Sequence, residues 1–90
     1  MKVTVAYRVM HQKLVQNGSP APHGNLRIEA KSDAEAVRLA TALADFAIAL
    51  HADSATVTVM DDRDRRLIAR VDHDGITAPI SYGPGYAEGN

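Results

Sequence analysis

A chain of 90 residues makes one domain, and at this length it can bury only about 60–65% of the surface its unfolded form exposes. It has no cysteine, which excludes disulfides, thiolate metal sites and thiol nucleophiles. Small secreted domains with thin cores usually rely on disulfides, so a cytoplasmic protein is expected. The opening Met1-Lys2-Val3-Thr4 leads into no apolar stretch of signal-peptide type, and no run is long enough to span a bilayer. A net charge of −1 supplies no bulk attraction to nucleic acid or to a membrane surface.

The charge is divided unevenly. Residues 1–31 hold five cations against Glu29 alone, and residues 32–90 hold five arginines against ten acids. This is either ordinary scatter or a bipolar molecule whose first hairpin presents a modestly basic surface.

Residues 2–10 alternate, with Val3, Val5, Tyr7 and Val9 on one side and Lys2, Thr4, Ala6 and Arg8 on the other. A period of two with β-branched residues predicts a half-buried strand, which can run on to Val15. Residues 17–25 are rich in Asn, Gly, Ser and Pro and read as the loop of a long hairpin. A second strand is expected over residues 26–30, with Leu26, Ile28 and Ala30 inward and Arg27 and Glu29 outward.

Ser32-Asp33-Ala34-Glu35 has the pattern of a capping box, in which Ser32 accepts the Glu35 N–H and Glu35 reaches back to the Ser32 N–H. Strong helix formers without Gly or Pro follow to about Ala52. At 100° per residue Ala36, Ala40, Leu43, Ala44, Ala47 and Leu50 centre one face. Leu39 and Phe46 flank it on one side, Val37 and Ile48 on the other, and Leu43 and Phe46 are expected in the core. The alanines let this helix approach a sheet closely.

Residues 54–60 alternate again, with Ala55, Val57 and Val59 inward. Residues 61–65 form a polar hairpin turn, and residues 67–72 the next strand. Residues 76–82 can add a short fifth strand, which Pro79 confines to an edge. The expected fold is therefore α+β, in the order β-β-α-β-β. Its four-stranded or five-stranded antiparallel sheet carries one long helix packed on one face. Residues 1–82 form the domain, and residues 83–90 a flexible Gly/Pro tail. The strand order 2-1-3-4 places strands 2 and 4 at the edges, where Arg27, Glu29, Arg70 and Asp72 discourage edge-to-edge aggregation.

Candidate chemistry is sparse. No two of His11, His23, His51 and His73 have the i, i+4 spacing of a helical zinc site. Asp72-His73-Asp74-Gly75 resembles a divalent-ion loop only superficially. Counted from Asp72, Ile76 and Gly83 stand where an EF-hand needs ligands at positions 5 and 12. No serine has a nucleophile-elbow context, and no glycine-rich phosphate loop follows a strand. The chain therefore reads as non-catalytic, with no metal and no cofactor.

Three surfaces remain as partner-binding candidates. Asp62, Arg63, Asp64 and Arg65 form a charged hairpin tip, either a solvated turn or a recognition knob. Arg8, Arg27 and Arg70 are expected on the open sheet face, where arginines can meet a nucleic-acid backbone. Base stacking needs exposed aromatics there, whereas Tyr7 and Phe46 point to core faces and Tyr82 and Tyr86 lie towards the tail. The outer helix face centres on Arg38 and Asp45 and is otherwise smooth, with Ala42 and Ala49. Alanine is the best helix former and harmless on a surface. The same smoothness also admits a second helix, from a target or from another copy in a two-fold homodimer.

The layout over residues 26–72 resembles, in element order and pattern alone, several small phage-encoded inhibitors of bacterial defence systems, anti-CRISPR proteins among them. That resemblance implies a protein partner and steric or electrostatic blockade of a larger complex. A bacterial accessory subunit would show the same pattern. The function expected is a protein-binding module, with weak binding to nucleic-acid backbone as the alternative.

Overall fold

The computed structural model describes residues 1–12, 16–18 and 21–82. Five strands, β1 (Lys2–Met10), β2 (His23–Glu29), β3 (Ser54–Asp61), β4 (Arg66–His73) and β5 (Ile80–Tyr82), form one antiparallel sheet in the order β2-β1-β3-β4-β5. The helix α1 (Asp33–Ala49) packs on one face of it, so the architecture is the α+β layout expected from the sequence. Among the described residues no helix is long and apolar enough to cross a membrane.

Alternation fixes which residues face the helix. Val3, Val5, Ala55, Val57, Val59, Ala69 and Val71 are buried on that side and meet Ala36, Ala40 and Ala44 of α1. The core consists of valine and alanine, with Ile68 the one larger buried side chain among the described residues. A β-bulge puts Ile68 there. Val59 pairs with Ala69 and Met60 with Leu67, so Ile68 is the extra residue and follows Ala69 into the core.

Several boundaries differ from expectation, each for a physical reason. β2 starts at His23 rather than at residue 26, because the β1 register carries on through Tyr7↔Gly24 and Arg8↔His23. Gly24 tolerates this pairing because it has no side chain: a Cβ there would lie 2.6 Å from the Tyr7 hydroxyl, so the tyrosine lies over the glycine. β1 ends at Met10, and Val15, like the tail at 83–90, lies outside the described residues. β5 covers β4, so the edges are β2 and β5 and not β2 and β4. Tyr82 belongs to β5, where it pairs with Arg70.

At the helix start Ser32 Oγ accepts the Glu35 N–H at 3.1 Å, as the capping box predicts. The Glu35 carboxylate instead accepts the N–H of Lys31, at 3.3 Å. The helix stops at Ala49, three residues short of the expectation. Leu50 donates back to Phe46 and Ala47, and His51 turns into the left-handed region at φ 71°.

The largest departure concerns the helix flank. Leu43 is half-buried against the core, but Phe46 and Leu50 are each 60% exposed. The cause is where α1 sits. It lies over β3 and β4, scarcely touches β1, and centres its contact on Ala36, Ala40 and Ala44, turning Leu39, Phe46 and Leu50 away. Leu43→Ala is expected to lower stability by about 2 kcal/mol, the low end of the range for deleting a core leucine. Phe46→Ala should cost less than about 0.5 kcal/mol, as surface changes do. Urea midpoints in the reverse order would mean that α1 is rotated on the sheet.

Candidate functional site

The sheet is wider than its helix, and this leaves a groove. Tyr7 and Val9 of β1, Leu26 of β2 and Val57 of β3 floor it, and Leu43, Phe46, Ala47 and Leu50 of α1 wall it. Its volume is about 310 Å³. Almost all of the lining is apolar, and one end is closed by Pro22, His11 and Ala52. Among the described residues the Nδ1 atom of His11 is buried without a hydrogen-bond partner. Chemically, the groove can accept a hydrophobic surface.

Sequence reasoning named Leu26, Phe46 and Leu50 as inward residues and so missed that together they line a groove. Two signals could have found it. One helix of ordinary diameter spans about two strands of a sheet, so five strands must leave inner surface uncovered. The apolar arc of α1 also extends well to one side of its alanine centre, through Leu43, Leu50, Leu39 and Phe46.

The candidate partner-binding residues fall on three other surfaces. Arg8, Arg27 and Arg70 do share the open face, through the pairs Arg8↔Thr56, Thr4↔Arg27 and Thr58↔Arg70. Acids are interleaved with them. Arg70 holds Asp72 at 2.8 Å, Asp72 accepts the Thr56 hydroxyl at 3.0 Å, and Asp62 accepts the Thr4 hydroxyl. A shallow depression on this face joins Arg27 and Arg65 to Asp62.

In the hairpin tip, Asp61 caps the N–H of Arg63 and Asp64 that of Arg66, each at 3.0 Å, while Arg65 takes a left-handed φ of 56°. These carboxylates build the turn. Arg66 leaves it to grip Asp33, in the first turn of α1, with both terminal guanidinium nitrogens at 3.0 and 3.1 Å. That hydrogen bond lowers the Asp33 pKa from its ordinary value and raises that of Arg66.

On the helix exterior Arg38, Ala42 and Ala49 are exposed, as expected. Asp45 is exposed too but reaches the sheet, where His73 Nε2 lies 3.2 Å from it. Gly75 donates its N–H to His73 Nδ1 at 3.0 Å, so a neutral ring carries its proton on Nε2 and donates a hydrogen bond to Asp45. Asp74 turns the other way and accepts the N–H groups of Ile76 and Thr77 at 2.8 Å. Asp72, His73 and Asp74 therefore point to three different partners. Among the described residues no group of three His, Asp or Glu side chains could hold a metal ion.

Backbone hydrogen bonds from Thr77 and Ile76 hold the Asp74 carboxyl below its ordinary pKa. A carboxyl depressed in the folded state adds stability above its unfolded value, and this is lost as pH falls through the folded value. Thermal unfolding should therefore show a fall in midpoint below about pH 4. Asp74→Asn should flatten that acid limb, and an unchanged limb would remove Asp74 as a contributor. No protein-family model matches the chain, and neither a curated protein nor a solved structure matches it.

Proposed function

We propose that this chain is a non-catalytic protein-binding module that seats an amphipathic helix of its partner in the groove beside α1. The observation that carries the reading is the groove itself, with Phe46 and Leu50 exposed along its wall. Its floor over β1 and β2 is two strands wide, about 10 Å, which is the diameter of one helix. An occupant would lie alongside α1 as a second helix on the same sheet face, burying Leu26, Leu43, Phe46 and Leu50. Exposed apolar surface gathered along one groove is the chemistry of recognition. As an inhibitor or as an accessory subunit, a module of this kind acts by covering or wedging into a larger complex.

Panning the protein against displayed amphipathic-helix peptides tests this. Enriched peptides should shift the NMR resonances of Tyr7, Leu26, Phe46 and Leu50. Phe46→Glu should weaken them ten-fold or more, equivalent to about 1.4 kcal/mol or above. Peptides that map to Ala42 and Ala49, or to the open sheet face, would overturn the reading.

The open-face arginines define the alternative, weak binding to nucleic-acid backbone. Their interleaved acids argue against a continuous phosphate track. Anisotropy with single- and double-stranded probes should show no appreciable binding near physiological salt. Sub-micromolar binding that falls steeply with salt would promote this face instead.

A further inference from the structure

The strand β2 is an edge of the sheet, and among the described residues its outer hydrogen-bonding groups are unused. The N–H of Ala30 bonds to the carbonyl of Met1, and that of Val9 to the carbonyl of Pro22, which sets the phase of the β1–β2 ladder. Antiparallel pairs alternate, so residues 22, 24, 26, 28 and 30 turn their backbone groups to β1. His23, Asn25, Arg27 and Glu29 turn theirs outward. Among the described residues these outward groups have no partner, and no strand lies beside them.

We propose that β2 pairs with β2 of a second copy, antiparallel about a two-fold axis through Leu26, making one continuous sheet. The sequence of the strand is complementary to itself in this register. Glu29 falls opposite His23 of the other copy and Arg27 opposite Asn25, and every outward N–H and C=O over the strand finds a partner. On the helix side Leu26, 46% exposed in the single chain, meets the other Leu26 across the axis. Ile28 falls opposite Gly24, the residue covered by the Tyr7 ring. An aromatic ring over an edge glycine restores the side-chain surface that the glycine lacks.

The charged residues select this register rather than blocking the edge. Arg27 and Glu29 project from the open face, clear of the hydrogen-bonding direction. Sliding the second copy by two residues in one direction puts Arg27 opposite Arg27, and like charges directly opposite are destabilising; in the other direction it takes His23 away from Glu29. Larger slips shorten the paired segment. A two-fold interface of this kind closes on itself and stops at the dimer. Each groove stays open beside the seam, so pairing is compatible with the binding proposed above and independent of it.

Sedimentation over a concentration series on the whole chain tests the proposal, with Asn25→Pro as the disrupting variant. The Asn25 N–H points away from β1, so proline there removes a hydrogen bond to the second copy and none within the chain. Wild type is expected to be a dimer and Asn25→Pro a monomer with an unchanged circular dichroism spectrum. Register is read independently of that variant. The chain has no cysteine, and Leu26 would face its own copy at a non-hydrogen-bonded pair, where Cα atoms are about 4.5 Å apart. Leu26→Cys should therefore form a disulfide dimer in a glutathione buffer, whereas Ile28→Cys should stay reduced. A wild-type monomer throughout, or cross-linking by Ile28→Cys in place of Leu26→Cys, would overturn the proposal. So would a dimer that survives Asn25→Pro and is lost when Ala42→Glu and Ala49→Arg are combined, which would place the interface on the outer helix face.

Discussion

The contact on which the rest of this structure depends is the seat of α1 on the sheet, alanine against valine. Ala36, Ala40 and Ala44 are fully buried against a floor that includes Val57, Val59 and Val71. Small side chains on the helix side let its axis come close, so backbone and floor pack without large residues between them. Close approach has a lateral consequence. A helix held low over β3 and β4 cannot also reach β1 and β2, and its longer apolar residues have to project sideways. The Ile68 bulge fits the same geometry, adding bulk to the floor beneath the helix where alanine supplies little.

From that seat follow both functional surfaces. The groove is the part of the helix-facing sheet that α1 leaves bare, and its wall is the flank of α1 that the alanine contact turns outward. The free edge of β2 is the part of the sheet farthest from the helix, so no covering element approaches its backbone groups. The other edge is the three-residue strand β5, and short edge strands offer little length for pairing. Uncovered apolar surface and an unpaired edge thus sit together on one side of the molecule.

The charged residues behave differently. Nearly all of the acidic side chains with a described contact serve the chain itself. Asp61, Asp64 and Asp74 cap turns, Asp33 ties the start of α1 to Arg66, Asp45 accepts the His73 Nε2–H, and Asp72 holds Arg70. These exposed pairs contribute modestly one by one. Their larger effect is to commit each carboxylate to a local geometry, which is why the charged tip and the Asp72–Asp74 stretch do not converge into a site. Among the described residues the buried Nδ1 of His11 is the exception, without a hydrogen-bond partner.

Sequence by itself determined the element order, the strand partners, the helix start and the inward residues of β1 and β3, because these depend on local periodicity and capping. Alternation at period two leaves one choice of face once a helix covers the sheet, and Ser32 can cap a helix only just before Asp33. Tertiary structure alone decided where α1 sits across the sheet. The hundred-degree repeat identifies an apolar arc but not the part of it that touches, and here the small residues won the contact over Phe46 and Leu50. It also decided that Ile68 joins the core, that β2 begins at His23 beneath the Tyr7 ring, and that Arg66 and Asp33, 33 residues apart in sequence, meet. Each of those outcomes depends on the distance between elements that are remote along the chain, and a pattern read along the chain carries no measure of that distance.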